Sequence, residues 1–327
     1  MLEHGGRLQR AAQEYGIASA QWLDLSTGIS PFGWPVPDVP PPIWQRLPED
    51  EDGLNDAACA YYEAAHVLPV AGSQAAIQAL PWLRPTARVG IIAPGYAEHA
   101  HAWRRAGHQV TCLPADILLA DVTAWDVLVL IHPNNPGGER FDPQALLRAH
   151  AELAARGGWL VIDEAFMDLT PADSLCRYAL REGLIVLRSA GKFFGLAGAR
   201  AGFVCASPQR LGELREALGP WALSGPTRYV LQQALADRLW QAQARARLAH
   251  AGERLAGVLS RHGLQPTAGC GLFHWCRRDD AAAIHRALAM RGILTRLFDT
   301  PPSLRFGLPA DDAAFDRLNA ALSEVMR

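Results

Sequence analysis

Lys192 closes the stretch Ser189-Ala190-Gly191-Lys192 just after an apolar run, and Arg200 follows eight residues later. Burial in such a place lowers a lysine's pKa and frees its amine to attack a carbonyl carbon. A hydroxyl and a planar guanidinium suit a phosphate, so Ser189, Lys192 and Arg200 together meet the needs of a phosphorylated aldehyde. The plainer reading is a solvated loop lysine. Three further segments bear on the choice. Ala71-Gly72-Ser73-Gln74 is a small-residue turn before the helical pattern Ala75–Leu83. The start of that helix can hold a phosphate or simply be capped. His132-Pro133-Asn134-Asn135-Pro136-Gly137-Gly138 follows a strand pattern at its carboxyl end. Ligands of open α/β sheets bind there, although Asn-Pro also makes an ordinary turn. Val161-Ile162-Asp163-Glu164 ends another strand pattern with two carboxylates. If the strand runs through them they face opposite ways, and at most one meets a given ligand.

Positioning these residues takes a layered scaffold. Val89–Ala93, Asp126–Ile131, Trp159–Ile162, Leu184–Leu187 and Gly202–Cys205 read as buried strands. Helical patterns lie between them, clearest at Tyr96–Ala106 and at Pro143–Arg156, where Asp142 is the expected N-cap. The alternation predicts an α/β fold with a mostly parallel sheet covered on both faces. After Pro208 comes an Ala/Leu/Arg-rich helical tract from Thr227 to about His262, interrupted near Gly252 and Gly257. A smaller alternation follows, with strands at Leu272–Cys276, Leu294–Phe298 and Leu304–Leu308 and helices at Asp280–Arg291 and Asp312–Met326. The seven prolines of Pro31–Pro48 exclude a helix or central strand there. The expected organisation is an N-terminal arm and crossing segment (1–48), a large domain (49–210) and a smaller α/β C-terminal domain (211–327).

The ordered set of motifs resembles the fold-type I pyridoxal-phosphate enzymes of the aspartate aminotransferase superfamily. Within it, the chain is similar to the branch that holds histidinol-phosphate aminotransferases and threonine-phosphate decarboxylases, over nearly its whole length from His4 to Arg305. The resemblance implies that Gly72, Ser73 and Gln74 form a phosphate cup, assisted by Ser189 and Arg200. It implies that Tyr96 lies over the pyridine ring, that Asn135 donates to the phenolate oxygen, that Asp163 pairs with the ring nitrogen and that Lys192 forms an imine with the cofactor aldehyde. Arg305 matches the family's carboxylate-binding arginine and Arg296 a second arginine that meets a substrate phosphate. The opening His4-Gly5-Gly6, in which the His-Gly pair helps hold that phosphate, resembles the decarboxylases more than the aminotransferases, and so does Phe166, where aminotransferases of the group place tyrosine. The activity implied is decarboxylation of L-threonine O-3-phosphate in cobalamin synthesis; transamination of the histidinol-phosphate type is the competing reading. A homodimer with shared active sites is implied as well. The chain departs from its relatives at Leu47, where they carry an interface tyrosine, at Ser30 before Pro31, and at Gly138 in place of a Thr-Gly pair.

A formal charge of −2 and a pI near 6.6 leave no electrostatic excess for a polyanion, so no nucleic-acid partner is expected. Phe193 stands where a P-loop needs Ser or Thr, and Gly269-Cys270-Gly271 lacks the third glycine of a dinucleotide fingerprint. The six cysteines read as reduced core residues, His99 and His101 as solvated surface histidines, and no metal site is expected. With no apolar run of membrane-span or signal-peptide length, a cytoplasmic protein is expected.

Overall fold

In the computed structural model, which describes residues 3–326, the strands in chain order are β1 (Leu23–Asp24), β2 (Val67–Val70), β3 (Arg88–Ile92), β4 (Gln109–Leu113), β5 (Val127–Ile131), β6 (Trp159–Asp163), β7 (Leu184–Ser189), β8 (Gly202–Cys205), β9 (Ala268–Cys270), β10 (Phe273–Arg277), β11 (Ile293–Leu294), β12 (Arg296–Asp299) and β13 (Pro302–Gly307). Met1, Leu2 and Arg327, the tips of the expected arm and small domain, lie outside the described residues. The chain forms two compact units. One comprises Gly33–Asn135 and Glu139–Gln241; the other takes the residues up to Phe32, Pro136–Gly138 and the chain from Ala242 onward.

The first unit is built on a seven-stranded sheet of order β2-β8-β7-β6-β5-β3-β4, in which β8 alone runs against the rest. Strands buried on both faces need no polar alternation, and all five residues of Val127-Leu128-Val129-Leu130-Ile131 are buried. Trp103, Val129, Val161, Ile185 and Leu187 belong to the core on one side of this sheet. The parallel strands deliver the segments after β2, β3, β5, β6 and β7 to a single edge. Two strands of this sheet were not foreseen. β4 is an edge strand with exposed Gln109 and Cys112, and β2 carries Pro69, which an edge position tolerates.

Gln241 rather than residue 210 ends the larger unit because the helix Gly225–Ala236 packs on the helix Leu54–Tyr62. Its buried Arg228 grips Asp52 through Nε at 2.6 Å and Nη2 at 2.8 Å. Trp34 likewise ties the crossing segment to this unit, its N–H donating to Phe194 and its Nε1 to Asp237. The helical tract breaks at Asp237, not at its glycines: Gly252 and Gly257 lie inside the continuous helix Arg238–Arg261. The proline-rich segment contains the short helix Pro41–Gln45, with its prolines in the first turn where no N–H is needed. As expected, Asp142 caps Pro143–Ala154, accepting from the N–H groups of Gln144 and Ala145.

The second unit carries a four-stranded antiparallel sheet of order β12-β13-β10-β9 and the parallel pair β1-β11. Thr295 separates β11 from β12, so the strand expected at Leu294–Phe298 is divided. Cys176, Cys205, Cys270 and Cys276 are buried, whereas Cys59 is half-buried and Cys112 exposed, against the expectation that all are core residues.

Beneath the carboxyl edge of the large sheet lies a buried ion cluster. Arg188 donates to Glu164 and to Asp168, each at 2.7 Å, and Tyr61 donates to Asp168 at 2.9 Å. Burial pushes the Glu164 carboxyl up in pKa. The carboxylates still keep Arg188, whose charge burial opposes, well above its ordinary value. Removing one bond to a charged group, Tyr61→Phe is expected to lower the unfolding free energy by about 1–2 kcal/mol, read as a fall in urea midpoint at constant slope. An unchanged midpoint would mean that this bond contributes nothing to the fold.

Candidate active site

At the end of β6 the strand's alternation sends its two carboxylates to opposite sides. Glu164 joins Arg188, while Asp163 turns to the helix Ala97–Arg105. Asp163 is 3% exposed; its Oδ2 lies 2.9 Å from His99 Nε2 and its Oδ1 accepts the Ala165 N–H at 3.1 Å. A carboxylate only accepts, so His99 Nε2 carries the shared proton. His99 is therefore no surface histidine: it is 1% exposed, and only His101 faces solvent. The positions Tyr96, His99 and Trp103 follow helical spacing, and that stripe faces inward.

Tyr96 caps the same helix, lies edge-on to His99, and donates its hydroxyl proton to Gln74 Oε1 at 3.1 Å. Burial, with Glu98 and Asp163 adding negative charge, pushes its phenol up to about 12, so it remains a neutral donor. Gln74 and Gln78 both donate to Glu98 Oε2, at 3.0 and 3.2 Å, which fixes which end of the Gln74 amide faces Tyr96.

The turn after β2 is shaped by close approach. Gly72 has φ +71°, and a Cβ there would sit 2.7 Å from Arg200 Nη2. A Cβ on Gly202 would come within 2.5 Å of the Ser73 nitrogen. Gly202 is also the register partner of Ser189 across β7 and β8. Gly72, Ser73, Ser189 and Arg200 are thus gathered at one corner of the sheet. Asn134, which the sequence did not single out, pins the neighbouring loop: its Nδ2 donates to the Pro94 carbonyl at 2.8 Å and to Glu139 at 2.7 Å. It thereby joins the loop bearing half-buried Asn135 to the one bearing Tyr96.

Lys192 stands in the short helix Ala190–Phe193 after β7 and is half-buried, with Nζ 6.0 Å from the centre of the Phe166 ring. That ring belongs to the loop that follows Asp163. Phe193 and Phe194 each pack on Trp240 at 5.5 Å between ring centres, which anchors the lysine's helix. Lys192 is the only lysine in the 327-residue chain, a compositional signal that sets it apart.

The four residues tied by sequence to substrate, His4, Gly5, Arg296 and Arg305, lie in the other unit. Arg296 and Arg305 are direct partners across β12 and β13 and therefore share a sheet face. Arg305 Nη2 donates to the Ser26 carbonyl at 2.9 Å. Gly6 N–H donates to Ser26 Oγ at 2.8 Å, and a Cβ on Gly5 would sit 2.2 Å from Ser26 O. One residue thus holds both the glycine turn and the buried arginine. Burial, with Arg296 second, lowers Arg305 to about 10, so an anion on this face would be favoured.

The aminotransferase class I and II family profile matches residues 49–322, and the chain belongs to that family. Threonine-phosphate decarboxylase of Pseudomonas aeruginosa is 56% identical over 98% of this chain and 97% of its own length. A protein of the same name from a Sinorhizobium species is 42% identical over 99% and 98%. Among solved structures, histidinol-phosphate aminotransferase from Sinorhizobium meliloti, in complex with pyridoxal-5'-phosphate, superposes with a TM-score of 0.84 at 22% identity, covering 100% of this chain and 95% of that one. No helix among the described residues is long and apolar enough to cross a membrane.

Proposed function

We propose that the chain is a pyridoxal 5'-phosphate enzyme that decarboxylates L-threonine O-3-phosphate to (R)-1-aminopropan-2-yl phosphate and CO2, the linker-forming step of cobalamin synthesis. The observation that carries this reading is the pairing of Arg296 with Arg305 across two strands, in the unit that also holds the His4-Gly5-Gly6 turn. Two guanidinium groups on one face suit a small molecule with both a carboxylate and a phosphate. Similarity over nearly the full length to two threonine-phosphate decarboxylases supports it.

The cofactor-side residues fit the group. A Cβ at Gly72 or Gly202 would fill the corner where backbone N–H and guanidinium meet. Pyridoxal 5'-phosphate supplies an aromatic sink for the electron pair released when a bond at the substrate Cα breaks. Gly72, Ser73, Gln74, Ser189 and Arg200 would hold its phosphate, Tyr96 would lie over its ring, and Asn135 would donate to its phenolate oxygen. Phe166 has no hydroxyl to add a second side-chain donor. Asp163, oriented by His99, keeps a proton on the ring nitrogen. Lys192 Nζ would hold the cofactor's aldehyde carbon, and its amine would carry to Cα the proton that takes the place of CO2. His4, Gly5 and Arg296 grip the substrate phosphate and Arg305 the carboxylate. The protein acts in the cytoplasm as a homodimer with shared sites. Trp44, Leu47 and Trp221 are exposed apolar residues available to that association, and Leu47 has no hydroxyl for the partner's cofactor.

Product analysis with O-phosphothreonine and no oxo-acid acceptor tests the proposal. Stoichiometric CO2 and aminopropanol phosphate are expected. No CO2, together with transamination of histidinol phosphate by 2-oxoglutarate, would overturn it in favour of an aminotransferase.

A further inference from the structure

Three guanidinium groups converge on Glu3. Arg7 Nη1 lies 3.3 Å from its Oε2, Arg10 Nη1 lies 3.1 Å from its Oε1, and Arg296 Nη2 donates to its carbonyl oxygen at 2.6 Å. The Arg10 bond, with the charges of Arg7 and Arg296, holds the Glu3 carboxyl below its ordinary range. These residues line one cavity of about 350 Å3, with His4 and His285 also in its wall. Neither Arg7 nor Arg10 is among the residues already tied to substrate.

The local fold explains why they point there. The Gly5-Gly6 turn, closed on Ser26, leads directly into the helix Leu8–Tyr15. Arg7 and Arg10, three apart at its start, fall on one face. The contact they make with Glu3 is easily broken. Glu3 and Arg10 side chains are 56% and 61% exposed, and exposed ion pairs are screened and loosely held. A phosphate dianion has three oxygens to set against the same guanidinium groups and outcompetes a single carboxylate.

We propose that the Glu3 carboxylate is a resident anion of the substrate-phosphate pocket, and that substrate phosphate displaces it and recruits Arg7 and Arg10 alongside Arg296 and His4. The proposal rests on the substrate reading given above and extends it to two further phosphate-binding residues and a built-in competitor. The competitor lowers apparent affinity by the fraction of time it occupies the arginines. It also favours substrates with a phosphate over those with a carboxylate at that end, because only the dianion displaces Glu3 efficiently.

The experiment uses the holoenzyme and inorganic phosphate as probe, with dissociation constants from titration calorimetry, beside KM for O-phosphothreonine. Glu3→Gln is expected to tighten phosphate binding and lower KM by roughly threefold. Arg7→Ala and Arg10→Ala are expected to weaken both by about three- to tenfold, with partial rescue by Arg7→Lys and Arg10→Lys, which keep the charge. If phosphate binds all these variants as it binds wild type, the proposal falls. If the phosphate constants move as described while no variant releases CO2, the anion pocket stands and only the substrate reading is lost.

Discussion

Lys192→Ala is expected to lower turnover on the order of 10^4-fold, because on the proposed roles it removes both the amine that holds the cofactor aldehyde and the acid–base group beside Cα. The chain makes this unusually clean to measure. Lys192 is its only lysine, so borohydride reduction of wild-type holoenzyme can fix the cofactor to one side-chain amine and no other. A single labelled tryptic peptide is expected in wild type and none in Lys192→Ala. The variant should still fold, since the half-buried lysine sits on a helix anchored by Phe193 and Phe194 against Trp240. Added methylamine should then restore part of the proton-transfer rate, which a merely unfolded variant could not show. Undiminished turnover, or a label that survives the substitution, would remove Lys192 from the chemistry.

Much of the large sheet was legible from local order: short apolar strands, each ending in a small group of polar residues, declare the sheet and the edge to which those residues are carried. Asp163 and Glu164 are a clear case. Strand periodicity alone separates them, and the structure puts them in different environments, one against His99 and the other against Arg188. What stayed hidden depended on contacts between residues far apart in the chain. His99 reads in the sequence as a solvated surface histidine, whereas its partner lies 64 residues away. The spacing from Tyr96 to His99 to Trp103 was the usable signal. Asn134 was passed over for its neighbour Asn135, although a fully buried amide reaching the Pro94 carbonyl is what ties two of the loops together. The unit boundary at Gln241 was out of reach for the same reason, because Arg228 finds Asp52 across 176 residues.

Asp163→Asn is expected to reduce turnover by about two to three orders of magnitude, comparable to losing a preorganised electrostatic partner in a water-excluded site. The amide is nearly isosteric and can still bond to His99 or the Ala165 N–H, so packing is conserved while the charge proposed to keep the ring nitrogen protonated is gone. His99 bonds to Asp163 and, on the proposed roles, acts through it, which makes it a positioning residue. Second-layer partners of this kind typically contribute about 10- to 100-fold, and His99→Gln should fall in that range. The double variant separates this account from a general loss of stability. If His99 acts only by orienting the carboxylate, then adding His99→Gln to Asp163→Asn costs nothing further, because there is no charge left to orient. Holoenzyme absorbance should follow the same pattern, shifted in Asp163→Asn and not shifted again in the double variant. Fully additive losses in turnover and two independent spectral shifts would show that His99 works on its own, and the pairing of Asp163 with His99 would then be only a feature of the core.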